Sequence, residues 1–378
     1  MAQRVRTDWV LFATVVVMVS FGLVMVYSAS SVMAEWRYHS TTYFLLRQLG
    51  WAVVSFVALM WLKSRDYRFL RAPMWAFAPL GVVIALLVLV YFMDPKTHRW
   101  FRLGPASFQP SEIAKPALAI FLAWFVTMRG RAINARHTIL PASLVLVMLG
   151  VAVVIADLGT AVVLMVTAAV VFFVAGLDKR YFIAAIGALV IFAAVAVVLK
   201  PYRIARVIHF VDPQFKLVAK FDKNGTLQRY MNESKTHDTG YQAMQSKIAV
   251  GSGGVIGVGL MESRQKLLYL PEAHTDFIYA VVGEEGGLFA CTAVLAGFMV
   301  LLWRGFRLYW IAPDDFGRFL ALGLTASIVF QALINMSVVL DLAPTKGIPL
   351  PMISSGGSSL MSTLISCGLL LSISERSG

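Results

Sequence analysis

Cysteine is nearly missing from this chain: Cys291 and Cys367 are the two it has, and both sit inside apolar runs. Neither a disulfide framework nor a zinc cluster can be built from them. Charge is equally thin. Asp, Glu, Lys and Arg make up 14% of the 378 residues, against about 25% in an ordinary soluble domain. That scarcity, beside so much apolar residue, excludes disorder, coiled coil and a water-solvated globule together. Tandem repeats and low-complexity tracts are missing too. Gly251, Gly253, Gly254, Gly257 and Gly259 cluster in sequence, but no strand-to-helix context surrounds them, so they make no nucleotide-binding loop.

What fills the chain instead is apolar: 59% of residues are hydrophobic, and the mean hydropathy is +0.75. Its main solvent is therefore lipid. Apolar runs close to the roughly 20 residues needed to cross a bilayer predict an all-α integral membrane protein of ten transmembrane helices in one polytopic domain, 1–378. The spans fall near 9–33, 43–62, 73–93, 112–128, 138–156, 158–176, 181–199, 277–302, 317–340 and 353–373. A large extracytoplasmic loop, 200–275, separates spans seven and eight. The first span is too long for a signal peptide and lacks a small-residue cleavage site, so it reads as a retained helix.

The net charge of +13 would suggest nucleic acid in a soluble protein, but its distribution says otherwise. Arg4 and Arg6, then Lys63, Arg65, Arg68 and Arg71, then Arg129, Arg131 and Arg136, then Lys179 and Arg180, then Arg304, Arg307 and Arg318 fill every second gap between spans. This is the positive-inside pattern, and it places both termini in the cytoplasm. The loop 200–275 is basic as well, which the rule tolerates in long outer segments; such a loop would attract an anionic partner such as a lipid phosphate. Within it, Phe221 to Gly240 is polar and turn-rich, and Tyr241 to Val250 has the makings of an amphipathic helix.

Ionisable groups in or beside membrane spans are costly and are functional candidates by default. Arg47 and Gln48 interrupt the second span, Glu112 and Lys115 open the fourth, and Glu284 and Glu285 lie inside the eighth. Glu112 and Lys115, three apart, share a helix face and can pair. The densest constellation is Leu270-Pro-Glu-Ala-His-Thr-Asp-Phe277, where Glu272, His274 and Asp276 precede an apolar helix. Asp276 can cap that helix, while the three together suit acid–base work or a hard cation. A second cluster, Pro344 to Ser359, contains Lys346 and the pair Gly356-Gly357. The glycines suit either a phosphate at bared N–H groups or close helix packing.

Taken together these segments resemble the SEDS family of peptidoglycan polymerases (the FtsW, RodA and SpoVE proteins). The resemblance is carried by Val26-Tyr-Ser-Ala-Ser30, Arg47-Gln48, Phe108 to Lys115, Tyr241-Gln242 with Gln245-Ser246, Tyr269 to Phe277, and Pro344 to Ser359. Lys266 to Asp276 and Pro344 to Gly347 look more like the division type (FtsW) than the elongation type (RodA). Three features depart from the family pattern: Ser355 where a tyrosine is usual, Gly287 after Gly286, and a longer excursion over Phe221 to Thr239.

The resemblance implies polymerisation of lipid II, an undecaprenyl-pyrophosphate disaccharide pentapeptide, into β-1,4 glycan at the outer face of the bacterial cytoplasmic membrane during division. The family's essential aspartate maps to Asp276, expected as general base or as ligand of an assisting Mg2+ or Mn2+. Arg206, Lys247 and Lys346 are expected to offset pyrophosphate charge, and Arg47, Glu112 and Lys115 to line a polar floor. Gln242, Glu272, His274 and Ser358 complete the substrate-binding candidates. A groove between spans is expected to hold the polyprenyl tail. An α-linked donor and a β-linked product mean one displacement with inversion, which needs a base and no nucleophile pair. Expected partners are a class B penicillin-binding transpeptidase and other divisome proteins, with no nucleic acid. The rival readings are a lipid II flippase, which buried charges in a multi-helix bundle would suit, an elongation-type polymerase, and a scaffold, which leaves Asp276 unexplained.

Overall fold

The structure is a computed structural model and describes residues 7–95, 97–103, 106–198, 201–212 and 236–377. The basic residues expected of the loop at Lys200, Lys216, Lys220, Lys223, Arg229 and Lys235 lie outside the described residues, as do Arg4, Arg6 and the stretch 221–235 of the polar excursion.

With no water in the bilayer core, backbone N–H and C=O groups must be paired within the segment, so apolar runs become helices. They are α1 (Trp9–Tyr38), α2 (Tyr43–Ser64), α3 (Pro73–Met93), α4 (Pro110–Arg129), α5 (Arg136–Ala156), α6 (Leu158–Val174) and α7 (Lys179–Val198). Outside the apolar runs come α8 (Pro201–Val211) and α9 (Thr236–Gly253), followed by the last three membrane helices, α10 (Ile278–Ile311), α11 (Asp315–Val339) and α12 (Gly357–Glu375). Among the described residues nine helices are long and apolar enough to cross a membrane, and α6, with 17 residues, is shorter. The expected count of ten thus becomes nine by length, because α6 starts at Leu158, capped by Asp157 through the Gly159 N–H at 2.9 Å, but stops at Val174, where the chain turns at Gly176 with φ of 86°. A small antiparallel hairpin, β1 (Phe101–Leu103) with β2 (Ala106–Phe108), adds an element the all-helical expectation lacked.

The bundle is built around α4, α11 and α12, whose apolar windows are 78% buried, whereas that of α7 is 6% buried and faces lipid almost all round. α11 packs between α10, α4 and α6, and α12 lies along α2. Polar ties close one end. Asp8 holds Arg304 at 2.6 Å, Glu375 holds Lys63 at 3.1 Å and the Thr7 hydroxyl at 2.7 Å, and Asp314 accepts from Tyr67 at 2.5 Å and Arg68 at 3.2 Å. Both ends of the described chain therefore meet at one end of the bundle.

The opposite end carries the hairpin, α8, α9 and the segments 254–277 and 340–356. α10 is 34 residues long, about 50 Å at 1.5 Å per residue, well beyond the expected 277–302. It is broken at Gly287, whose φ of 62° and ψ of −161° are tolerated without strain only by glycine. The segment after α9 docks into that break: the Leu288 and Phe289 N–H groups donate to Gly254 and Val255 carbonyls, and Val258 and Gly259 N–H groups donate to Glu284 and Glu285 carbonyls. The glycine cluster therefore serves close backbone approach. The two buried glutamates are structural as well. Glu284 accepts from the Ser263 hydroxyl at 2.5 Å and the Arg264 N–H at 2.9 Å, and Glu285 holds Lys266 at 2.8 Å and the Ser28 hydroxyl at 2.6 Å.

Candidate active site

At the end opposite the termini, a cavity of about 590 Å³ opens between α5, α6, α7, α8 and the segments 97–100 and 343–348. Arg99, Asp157, Arg203, Arg206 and Lys346 line it. The four cations come from three elements: the segment after α3, α8 and the segment 343–348. The segment after α3 carries Arg99 to Asp157 at 3.0 Å. α8 brings Arg203, which donates to the Ala196 and Val154 carbonyls at 2.9 and 2.8 Å, and Arg206, which donates to the Thr345 carbonyl at 3.4 Å. Burial alone would raise the Asp157 carboxyl, but Arg99, the Thr160 hydroxyl, Lys346 and the Gly159 N–H outweigh it and hold it below the usual carboxylate range. Burial pulls Lys346 down to about 7, with Asp157 opposing and Arg203, Arg206 and Arg99 reinforcing the shift.

Asp276 adjoins this cavity through Gly347, one of its lining residues. Its partly exposed side chain faces Gly347 so closely that a Cβ there would lie 2.5 Å from Asp276 Oδ2. Desolvation raises the carboxyl to about 7; Arg99 and Arg206 pull against this, while Glu272 and Asp157 add to it. Asp276 does not cap α10: Phe277 occupies that position and supplies no side-chain cap bond. Among the described residues its carboxylate accepts no hydrogen bond, which leaves both oxygens for a ligand.

Two loops are zipped together to put it there. The Ser354 hydroxyl donates to the Thr275 carbonyl at 2.6 Å, the Ser355 N–H donates to the His274 carbonyl at 3.0 Å, and Asn335 Nδ2 donates to the Asp276 and Ile348 carbonyls at 2.8 and 2.7 Å. Four residues back on α11, Gln331 Nε2 donates to the Pro349 carbonyl at 2.8 Å. Sequence reasoning passed over Arg99, Asp157, Gln331, Asn335 and Ser354. The signal for Gln331 and Asn335 was present, as two amides spaced i, i+4 within an apolar span.

The expected site residues separate into groups. Arg206 and Lys346 line the cavity, and Asp276 adjoins it through Gly347. Glu112 and Lys115 do not line it: they form a buried pair at 2.6 Å, Lys115 also meets Gln331 Oε1, and the Glu112 carbonyl accepts from Ser362, so they tie α4 to α11 and α12. Arg47 donates to the Ser107 hydroxyl of the hairpin at 2.6 Å. Lys247 is drawn away to Asp341 at 2.8 Å. Gln242 is half-buried on α9, and Ser358 is buried in the first turn of α12.

The acidic triplet diverges. Glu272 is exposed and accepts from the Thr275 hydroxyl at 2.9 Å. His274 is buried against the Phe44 ring at 4.5 Å, and burial lowers its pKa, with Glu272 opposing and Arg47 reinforcing. Among the described residues no three His, Cys, Asp or Glu side chains gather to hold a metal ion. Asp157, the other carboxylate at the cavity, is already taken by Arg99, Gln109, Thr160 and the Gly159 N–H. The described residues thus offer a cation one carboxylate without a hydrogen bond, Asp276, and no preformed cluster of ligands.

The glycine pair is likewise taken up. The Gly356 N–H donates to Gln48 Oε1 at 3.2 Å, and a Cβ at Gly357 would overlap the Trp51 ring, so close packing accounts for Gly357 and a protein acceptor already occupies the Gly356 N–H.

A family model described as cell cycle protein, FtsW/RodA/SpoVE, matches residues 8–378. A curated protein of Trichlorobacter lovleyi, named "Probable peptidoglycan glycosyltransferase FtsW", is 40% identical over 374 residues, covering 97% of this chain and 93% of the relative. Stage V sporulation protein E of Bacillus subtilis is 36% identical over 382 residues, covering 99% of each. Among solved structures, a chain of a peptidoglycan synthase complex superposes with a TM-score of 0.76 at 27% identity, over 97% of both chains. Rod shape determining protein RodA of Thermus thermophilus gives 0.67 at 26%, over 98% of this chain and 97% of that one.

Proposed function

This chain belongs to the FtsW, RodA and SpoVE family of cell cycle proteins, and from that premise we propose that it is a peptidoglycan glycosyltransferase of the FtsW type, polymerising lipid II at the outer face of the cytoplasmic membrane. Its termini lie in the cytoplasm, and it works beside a class B transpeptidase and other divisome proteins. The relatives' names support the reaction class, and the higher identities to proteins named FtsW than to RodA support the subtype. The observation that carries the reading is the Asp276 carboxylate, raised to about 7 and free of hydrogen bonds among the described residues, adjoining a cavity lined by Arg99, Arg206 and Lys346.

The chemistry follows from that arrangement. The acceptor 4-hydroxyl attacks the anomeric carbon of the donor sugar from the face opposite the diphosphate. As the new C–O bond forms, the hydroxyl proton passes to Asp276, which near neutral pH is basic enough to take it and ionised enough to be ready. The anomeric C–O bond to phosphate breaks, and the polyprenyl diphosphate leaves with the bonding electrons. Arg99, Arg206 and Lys346 stabilise that developing charge in a partly desolvated site, where each is worth more than in water. An incoming diphosphate also raises the Lys346 pKa and fixes it as a cation.

The tail has a place as well. An apolar groove of about 210 Å³, lined by Met165, Phe172, Phe182, Ile186, Leu189 and Phe192, lies between α5, α6 and α7. The same three helices wall the cationic cavity, where Val162 and Ala193 take over from Met165 and Phe192. The two spaces share helices but no lining residue; charged space at one end of these helices and apolar space farther along them is the division that a diphosphate on a polyprenyl chain requires.

The test is glycan synthesis by the purified chain, with and without its transpeptidase, from lipid II in detergent, where no transport can occur. Polymer longer than the disaccharide is expected. Its absence under both conditions, together with lipid II translocation in vesicles, would favour the flippase reading.

A further inference from the structure

We propose that Asn335 is a positioning residue for Asp276, acting by joining the carbonyls of Asp276 and Ile348 through its one side-chain amide. The inference rests on the reading of Asp276 given above. Two carbonyl oxygens repel and have no proton to share, so loops bearing them side by side need a donor between them. Asn335 is 1% exposed on α11, and its Nδ2 carries two N–H bonds, directed at Asp276 O at 2.8 Å and Ile348 O at 2.7 Å. An amide is the uncharged side chain that supplies two donors from one atom.

The consequence reaches the carboxylate directly. Ile348 follows Gly347, which faces Asp276 Oδ2, and Lys346, which lines the cavity. The amide therefore ties the segment of the base to the segment of the cation, beside the bonds that Ser354 and Ser355 make to 274–275. It is anchored independently of both loops, since α11 is buried on most of its apolar window. Asn335 Oδ1 is buried with no protein partner among the described residues. This side chain is therefore placed for its donors, and its acceptor is left unmatched in their favour.

Replacing Asn335 by leucine removes both donors at similar volume, and Asn335→Asp replaces them by an acceptor of the same shape. Initial rates on purified lipid II are expected to show kcat lowered about a hundredfold for each, the cost of displacing a reacting group by about 1 Å, with KM changed less than about threefold. Asn335→Gln, which keeps the two-donor amide, is expected to recover at least about a tenth of the wild-type kcat. Hydrogen exchange in detergent is expected to quicken at 272–277 and 346–350 in the leucine variant, with the rest of α11 unchanged. Ser327→Ala removes a buried hydroxyl on the same helix that bonds only within it, to the Leu324 carbonyl, and is expected to leave kcat and both loops as they are.

Wild-type kcat in Asn335→Leu, a loss confined to KM, or an equal loss in Ser327→Ala would overturn the proposal. If the leucine and aspartate variants do not fold, exchange and kcat in Asn335→Gln and Asn335→Ser decide, and serine equal to glutamine in both counts against it. An active Asp276→Asn in the same assay would instead overturn the catalytic reading on which the proposal stands, while the exchange result would still report on the clamp.

Discussion

Replacing Gly347 by alanine should harm catalysis far more than stability, and the structure gives the size of the effect. A Cβ at Gly347 would stand 2.5 Å from Asp276 Oδ2, about 0.9 Å inside the 3.4 Å at which ordinary contact begins. Among the described residues, its chain neighbours aside, the only other atom within 4 Å is Asp276 Cγ at 3.5 Å, so the clash is relieved by turning one carboxylate. The backbone at Gly347 is not in the left-handed region, so alanine brings no conformational strain, and its lower unfolded-state entropy offsets part of the cost. Stability should therefore change by less than about 1 kcal/mol. A base displaced by about 1 Å loses about a hundredfold in kcat, or about 2.7 kcal/mol of transition-state stabilisation. The assay pairs thermal unfolding in detergent with initial rates on lipid II across a concentration series. Wild-type kcat in Gly347→Ala would refute the placement of the reacting carboxylate against this glycine. A large fall in unfolding temperature with a matching fall in active fraction would show that the residue serves folding alone.

Two other outcomes follow from the charges. Asp276, raised to about 7, must be ionised to accept a proton, so kcat/KM should rise with pH up to about 7; Lys346, lowered to about 7, must be protonated to hold an anion, so activity should fall above it. The pair together should give a narrow bell centred near neutrality, and Lys346→Arg, permanently charged, should abolish the alkaline limb; a flat profile from pH 5 to 9, values well outside this range, would contradict this. Away from the site, Lys266→Met leaves Glu285 buried without its cation and should cost about 3–5 kcal/mol in detergent unfolding, most of it regained in the Lys266→Met, Glu285→Met double variant; a loss under about 1 kcal/mol would show that the pair is solvated.

The membrane helices were legible because lipid imposes a single rule, an apolar run of sufficient length, and each observed membrane helix overlaps such a run. Helix ends were less so. α6 begins where expected but stops two residues early, at the turn through Gly176, and α10 runs on past 302 to Ile311, over a stretch in which Arg304 is held by Asp8. Asp276 was legible through a local motif. Its surroundings were not, because Arg99, Asp157, Arg206 and Lys346 are far apart in sequence and meet only when the hairpin segment, α8 and the loop before α12 converge. Pairing at i, i+3 correctly joined Glu112 to Lys115, yet could not say which helices surround the pair. Lys247 showed the same limit: a basic residue expected to meet pyrophosphate, drawn instead to Asp341 by tertiary contact. The two amides on α11 passed unnoticed because a single polar residue in a span is read one at a time, whereas their meaning lies in the carbonyls of two loops that the fold brings beneath them.

The central claim is that the Asp276 carboxylate takes the proton from the attacking hydroxyl, and single-turnover polymerisation of purified lipid II by Asp276→Asn tests it most directly. The asparagine keeps the size and the backbone bond to Asn335 but cannot accept that proton, so the rate should fall by about 10²–10⁴-fold with lipid II binding retained. A rate within about threefold of wild type would contradict it.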